Sequence, residues 1–236
     1  MSFFLDWLMW WKRKSVKKTA DKEAQGEQYW TSKYPQTSQL YRGRPIPGTK
    51  TMFDLDVRHF IWEEDIVLRD LIRSASLQKL TIDDTALAVQ QWVVKNLQYV
   101  SDETIGASEY WLFPGESMAR KKGDCEDGAT LMASILINAV PVEQRWRVRV
   151  TAGMVKPGPT APQGGHGYCV YIRDLDNEAV VLDWCFLEDS TVPVKDKPIV
   201  RDNTPYREVW FSFNHQYAWS HTSFNLGGRL KKVPAI

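Results

Sequence analysis

Three residues of the types used in thiol catalysis occur along this chain in the order cysteine, histidine, aspartate. Cys125 lies within Gly123–Gly128 (GDCEDG), His166 follows a pair of glycines, and Asp183 ends an apolar run (AVVLD). Such chemistry needs a thiol nucleophile, an imidazole that moves its proton and a carboxylate that orients the imidazole. The sequence therefore predicts a triad in which the Nδ1–H of His166 donates to Asp183. The alternatives are structural: a buried inert cysteine, a loop histidine, and a carboxylate bonded to backbone or to an arginine.

The cysteine lies where a loop becomes a helix. Asp124 is a good N-cap, and residues 129–139 are apolar and helix-permissive. A cysteine in the first turn lies at the positive end of the helix macrodipole, which favours the thiolate. Asp124, Glu126 and Asp127 oppose this effect, because nearby negative charge raises a thiol pKa. These carboxylates either cap the helix and complement its dipole, or hold a cation such as Ca²⁺, which prefers oxygen ligands.

The other elements follow from apolar periodicity. Helical spacing covers residues 65–72 and 86–97, the latter capped by Asp83 or Asp84. Alternation predicts a strand over residues 145–155 with its arginines (Arg145, Arg147 and Arg149) facing outward. Further strands are predicted over residues 168–172, 179–185 and 206–213. Helices followed by antiparallel strands indicate an α+β fold.

A second motif carries a resemblance to a known family. Trp111, Pro114 and Glu116 form a W-x-x-P-x-E segment shortly before the G-D-C-E-D sequence. Over roughly residues 81–213 the chain resembles the transglutaminase-like superfamily, and most of all its bacterial cysteine peptidases, which include phage-encoded proteins. The resemblance implies a papain-like arrangement, in which a helix-borne cysteine packs against an antiparallel sheet carrying histidine and aspartate.

The resemblance also implies roles for the three residues of the triad. Cys125 would be the nucleophile, His166 the general base and acid, and Asp183 the residue that orients the imidazole. Trp111 is the family-like candidate for the second oxyanion donor, beside the backbone N–H of the cysteine. A packing role for Trp111 is an equal alternative, because apolar Leu112 follows it where many relatives have a polar residue.

Calcium is the one cofactor that the resemblance suggests. The calcium-dependent, adhesin-releasing peptidases of this family bind Ca²⁺ through carboxylates that flank the cysteine. Asp124, Glu126 and Asp127 are therefore candidate calcium ligands, with capping of the helix as the simpler interpretation. The proposed thiol chemistry itself requires no cofactor.

Composition limits the classes of function. A net charge of +1 gives no indication of nucleic-acid binding. Three cysteines in 236 residues argue against a disulfide framework, although a bridge between Cys169 and Cys185 stays open. No segment has the roughly 20 apolar residues of a membrane span.

The basic residues follow the N-terminal apolar stretch, so this stretch does not resemble a secretory signal. A cytoplasmic protein is therefore expected, with incorporation into a virion as an alternative.

The N-terminal segment has a composition of its own. An aromatic stripe within residues 1–11 precedes a basic run, so that residues 1–18 suit a partner protein, a membrane surface or the chain's own body. Residues 15–28 are polar and residues 29–52 are rich in proline and glycine. The predicted organisation is an aromatic and basic helix with an extended arm over residues 1–52. A catalytic domain with a C-terminal extension follows over residues 53–236.

Two classes of function follow from these observations. The first is a thiol hydrolase that acts on a peptide or amide bond of a protein or peptide through an acyl-enzyme; a transglutaminase would pass the acyl group to an amine instead. The second is a structural or docking component of a larger assembly, for example a phage particle, that uses the fold as a scaffold.

Overall fold

The computed structural model describes residues 28–45, 51–102, 110–156, 158, 160, 162–224 and 230–232. The predictions for the aromatic stripe and the basic run of residues 1–18 lie outside these described residues. The principal helices precede all strands of the main sheet except the first along the chain. They are α1 (Ile66–Ser74), α2 (Ile82–Asn96), α3 (Pro114–Arg120) and α4 (Cys125–Ala139).

The first two helices begin at side-chain caps. Asp65 accepts the backbone N–H of Leu68 at 2.9 Å and caps α1. Thr81 accepts the N–H of Asp84 at 3.0 Å and caps α2, which therefore begins at Ile82, earlier than the predicted residue 86 and without an aspartate cap. Among the described helices, none is both long enough and apolar enough to span a membrane.

The main sheet has six strands, and every neighbouring pair in it is antiparallel. Its spatial order is β1 (Gln36–Thr37), β10 (Ala218–Ser220), β9 (Tyr206–Phe213), β6 (Val148–Val155), β7 (Gly164–Ile172) and β8 (Ala179–Leu182). Smaller pairs are β2 (Leu40–Pro45) with β3 (Met52–Asp56), β4 (Gln98–Tyr99) with β5 (Lys122–Gly123), and β11 (Thr222–Phe224) with β12 (Leu230–Lys232). This arrangement confirms the predicted α+β class.

Helix α4 is the central element of the core. Its apolar side chains are buried around most of its circumference, as expected for a helix enclosed by other elements. Each fully buried Leu or Ile side chain contributes roughly 1.5–3 kcal/mol relative to exposure to water. The helix packs against β6 and β7 of the sheet and against α1 and α2. Its first residue, Cys125, therefore has a position fixed by the core.

The arginines of β6 differ from the prediction. The strand begins only at Val148, and Arg145, Arg147 and Arg149 are buried, with 4–7% of their surface exposed. Sequence alternation misplaced them because a buried arginine needs hydrogen-bond or aromatic partners that lie far away along the chain. Arg149, for example, lies 3.6 Å from the ring centroid of Trp30.

Residues 28–37 pack against the sheet. Trp30 is 2% exposed, and its indole N–H donates to the carbonyl of Trp146 at 2.9 Å. Strand β1 continues this contact by pairing with β10 at the sheet edge. The compact body thus includes residues well before the predicted boundary at residue 53.

Candidate active site

Cys125 is the first residue of α4, as the motif predicts. The helix start is held by Asp127, whose carboxylate accepts the N–H of Asp124 at 3.2 Å and the N–H of Leu112 at 2.6 Å. A Cβ at Gly123 would lie 2.6 Å from the Cβ of Asp127, so a side chain at position 123 would displace the capping residue. The cysteine is therefore presented by a tightly packed turn.

His166 lies on β7, and Asp183 follows the end of β8. The Nε2 atom of His166 lies 2.8 Å from Oδ2 of Asp183, and both side chains are buried. The prediction that Nδ1 faces the aspartate is thus wrong, because this ring orientation turns Nε2 toward it. Nδ1 is left as the nitrogen available to a thiol.

Asp183 is surrounded by donors. Its Oδ2 also accepts the hydroxyl of Tyr206 at 2.7 Å. Its Oδ1 accepts three backbone N–H groups, from Trp184, Cys185 and Phe186, at 2.7–3.3 Å. Burial alone would raise the pKa of the Asp183 carboxyl. The hydrogen bond and charge of His166 lower this pKa, as do the hydrogen bonds from Tyr206 and the backbone, and the net effect is a lowered pKa. The carboxylate is therefore ionised and available to orient the imidazole.

Two close glycine contacts bring the cysteine helix and the histidine strand together. The backbone N–H of Gly167 lies close enough to the Cys125 thiol to lower its pKa. A Cβ at Gly167 would lie 2.9 Å from Cα of Glu126, which leaves room only for glycine between β7 and the first turn of α4. Because His166 precedes Gly167, its ring is attached to the strand at the point where that strand reaches the thiol.

The second contact involves Trp184, the neighbour of Asp183. Its indole N–H donates to the carbonyl of Cys125 at 3.1 Å. A Cβ at Gly128 would lie only 2.2 Å from the indole ring, so the tryptophan lies flush against α4. The strand that carries the aspartate is thereby tied to the helix that carries the cysteine.

The thiol is protonated in this arrangement. Cys125 Sγ donates to Oε2 of Glu126 at 3.1 Å. Burial raises the pKa of the Cys125 thiol, and the negative charge of Glu126 raises it further, against the lowering effect of the Gly167 N–H. Burial and the neighbouring carboxylate thus act against the thiolate, which the position at the helix N-terminus favours.

A group of carboxylates lies beside the thiol. Oxygen atoms of Asp102, Asp124 and Glu126 all lie within 4.8 Å of one another. Asp127 does not belong to this group, because its two oxygens take the backbone N–H groups at the helix start. Burial, and then the charge of Asp124, raise the pKa of the Asp127 carboxyl to about 8.

Asp102 had no recognisable signal in the sequence. It comes after β4, which pairs in parallel with β5 directly before Asp124. The backbone N–H of Tyr110 donates to its carboxylate. A long-range strand pair therefore brings Asp102 to the motif, and the three carboxylates supply the oxygen donors that Ca²⁺ prefers.

Trp111 packs in an aromatic cluster with Tyr41, Phe60 and Phe213, at centroid distances of 5.2–6.0 Å. It is 7% exposed. Leu112, the next residue, donates its N–H to Asp127 in the first turn of α4. This segment is thus fixed beside the cysteine turn, and the oxyanion role of Trp111 stays a prediction.

Aromatic side chains border the site and were not singled out from the sequence. The ring of Phe186 lies 5.1 Å from the imidazole of His166. Tyr99, half-exposed on β4, lies 6.0 Å from Trp184. Burial is the largest cause that raises the pKa of the Tyr99 phenol to about 12. These rings form apolar walls at the edge of the site.

Comparison with known proteins agrees with this description. Residues 71–158 match the family model of a transglutaminase-like domain, which confirms the resemblance over the segment that carries Cys125. His166 and Asp183 lie beyond the matched segment. The similarity to a transglutaminase-like domain thus covers residues 71–158. No curated protein matches the chain.

Three of the similar solved structures come from two bacteria. EGTA-treated LapG of Legionella pneumophila shares 21% identity and a TM-score of 0.48, over 70% of this chain and 77% of that chain. Calcium-bound LapG shares 22% identity and a TM-score of 0.48, over 65% and 74%. A proposed cysteine protease from Cytophaga hutchinsonii shares 16% identity and a TM-score of 0.35, over 72% and 55%.

Proposed function

We propose that this chain is a cysteine hydrolase that cleaves a peptide or amide bond of a protein or peptide through an acyl-enzyme on Cys125. The observation that carries the proposal is the buried His166–Asp183 pair, 2.8 Å apart, attached to strands that pack against the first turn of the Cys125 helix. An ionised aspartate, a histidine and a helix-borne thiol are the components of nucleophilic catalysis.

In the proposed reaction, Nδ1 of His166 takes the proton of Cys125 as the sulfur attacks the carbonyl carbon. Asp183 stabilises the imidazolium through Nε2. The backbone N–H of Cys125 and a donor from the Trp111 segment receive the oxyanion. The C–N bond then breaks, and the imidazolium protonates the leaving amine. Water, activated by the neutral imidazole, hydrolyses the thioester, which releases the carboxylate and restores the thiol.

Calcium fits the carboxylate group beside the thiol. Asp102, Asp124 and Glu126 would hold it, because their oxygens lie within 4.8 Å of one another and are hard donors. Bound Ca²⁺ would offset the negative charge that raises the pKa of Cys125. Replacement of Asp102 by Asn should weaken calcium binding in a calorimetric titration. Replacement of Asp70, an exposed aspartate on α1, by Asn is the control and should leave the calcium affinity unchanged. Equal calcium affinities of the two variants would show that Asp102 is not a ligand.

Two features of the proposal concern the partner and the acceptor. Water is the preferred acceptor, and an amine would make the protein a transglutaminase. Residues 1–18 would attach the protein to a partner protein, with contact to a membrane surface as the alternative. A location in the cytoplasm or in a phage particle stays a prediction.

The protonated thiol is the observation that favours a second function. A scaffold that docks in a larger assembly has no need of an ionised cysteine, and Cys125 is held neutral by burial and Glu126. Both candidates require the same fold, so that only reactivity separates them.

The decisive experiment labels the protein with a peptide that carries a thiol-reactive amide electrophile and locates the adduct by peptide mapping. Label should be found on Cys125, disappear in Cys125→Ala and slow by about 100-fold or more in His166→Ala. Replacement of the exposed His59 by Ala is the matched control and should leave the rate unchanged. Equal labelling rates of the His166 and His59 variants would refute the hydrolase and favour the scaffold.

A further inference from the structure

The mechanism gives no role to Cys185, although this cysteine lies in the site. Its thiol sulfur, a ring nitrogen of His166 and a carboxylate oxygen of Asp183 all lie within 4.8 Å of one another. The cysteine is free and half-buried, so its sulfur is not tied up in a disulfide. Its backbone N–H donates to Oδ1 of Asp183 at 3.1 Å, which fixes the main chain at this position.

The three donors are of the types that zinc selects. Zn²⁺ binds cysteine sulfur, histidine nitrogen and carboxylate oxygen, commonly with three protein ligands and one solvent ligand. Calcium does not take sulfur or nitrogen, so this set differs in chemistry from the group of Asp102, Asp124 and Glu126. Donor atoms around a tetrahedral zinc lie roughly 3.3–3.8 Å apart, as bonds of about 2.0–2.3 Å require. The 2.8 Å between Nε2 of His166 and Oδ2 of Asp183 must therefore widen by roughly 0.5 Å, and rotation of the Cys185 side chain about its single χ1 bond adjusts the position of the sulfur.

The surroundings prepare the site for a cation. Asp183 is ionised, and its Oδ1 is already held by three backbone N–H groups, so that Oδ2, which also accepts the Tyr206 hydroxyl, is the oxygen that faces His166. Both His166 and Asp183 are buried, so neither side chain has to be ordered on binding. Cys185 alone is partly accessible and offers the route of entry.

We propose that Zn²⁺ binds to His166, Asp183 and Cys185 and inhibits the enzyme reversibly. The inference rests on the proposed function only for its inhibitory part. Binding displaces the Cys185 thiol proton to solvent, the Nε2 proton of His166 moves to Nδ1, and the metal takes the Nε2 lone pair. With its Nδ1 protonated, the coordinated imidazole cannot accept the proton of Cys125. Zinc therefore blocks the base without touching the nucleophile.

The binding test uses Cys125→Ala protein, so that the nucleophile cannot serve as a ligand. This variant is titrated with ZnCl₂ in competition with a chromogenic zinc chelator. One zinc per chain is expected, and the addition of Cys185→Ser should weaken binding by about tenfold or more. Addition of Asp102→Asn instead is the matched control and should leave the zinc affinity unchanged. Zinc should raise the thermal midpoint of Cys125→Ala protein but not that of the Cys125→Ala, Cys185→Ser protein.

The inhibition test uses the labelling reaction of Cys125 in otherwise wild-type protein. ZnCl₂ should slow labelling, and Cys185→Ser should abolish this effect when each protein is compared with its own zinc-free rate. Unchanged zinc affinity in the Cys185→Ser variant would overturn the site. A third outcome separates the two proposals. If zinc binding depends on Cys185 but labelling of Cys125 does not depend on His166, the zinc site stands and the proposed function is refuted.

Discussion

Replacement of Gly167 by alanine tests how the site is assembled. The new Cβ would lie 2.9 Å from both Cα and Cβ of Glu126 and 3.2 Å from its backbone nitrogen. Carbon atoms pack favourably at about 3.5–4.0 Å, so β7 and the first turn of α4 must separate by roughly 0.5–1 Å. The contact is with backbone, which has no flexible end that could move aside. His166 and Cys125 therefore move apart.

Both stability and reactivity should respond. Overpacking of this kind costs about 1–3 kcal/mol, and each kcal/mol lowers the thermal midpoint by roughly 2–4 °C in a chain of this size. A displacement near 1 Å at reacting groups costs up to about 100-fold in rate. The N–H of residue 167 also loses its position against the thiol, so the labelling rate of Cys125 should fall more than stability alone explains.

The chain provides a matched control on the same strand. Gly164 lies three residues before Gly167, and a Cβ there meets nothing within 4 Å. Gly164→Ala should change stability by no more than about 0.5 kcal/mol and leave the rate of labelling intact. Thermal unfolding and the labelling rate of Cys125 are measured for both variants. If Gly167→Ala labels as fast as Gly164→Ala, close packing of β7 on α4 does not position the thiol, and the reasoning is refuted.

Three other predictions test separate parts of the description. Tyr206→Phe removes one donor from Asp183 and should raise the lowered pKa of that carboxyl. The ionised carboxylate contributes stability above its unfolded pKa, and this stability is lost as pH falls through the folded pKa. In thermal unfolding measured against pH, the variant should therefore lose stability at a higher pH than the wild type. Glu126→Gln removes a negative charge and should lower the pKa of Cys125. The rate of Cys125 alkylation, measured against pH in calcium-free buffer, should then rise at a lower pH than in the wild type, and an unchanged pH profile would show that Glu126 does not raise the thiol pKa. Removal of residues 1–27 should leave labelling and folding intact but abolish association with a protein partner in a co-purification assay, whereas unfolding would mean that the segment belongs to the core.

Local sequence signals predicted the elements that depend on local rules. The cysteine motif predicted the start of α4, because a capping aspartate followed by an apolar run is a local signature. The apolar pattern of residues 206–213 predicted β9 with the bounds that it has in the structure. Likewise the order of helices and strands predicted the α+β class.

Features that depend on distant contacts could not be predicted in this way. Asp102 joins the carboxylates only because β4 pairs with β5, a two-residue parallel contact without a pattern of its own. Arg149 is buried because Trp30, far away in the sequence, covers it, whereas its alternation with apolar residues predicted an outward side chain. The choice of Nε2 over Nδ1 in His166 likewise follows from the ring orientation, which no sequence pattern encodes.

The site keeps the Asp183 carboxyl ionised and the Cys125 thiol protonated. On one side, five hydrogen-bond donors keep Asp183 ionised against the effect of its burial. On the other side, Glu126 accepts the thiol proton of Cys125 and opposes the thiolate. Transfer of the proton from sulfur to imidazole is thus favoured by the aspartate and resisted by the glutamate. Whatever removes the charge of Glu126 from the thiol, whether a cation on the carboxylates or substitution of the side chain, shifts this balance toward the reactive ion pair. In the proposed mechanism, control of the nucleophile therefore lies in Glu126, the residue next to it, while His166 and Asp183 are already paired.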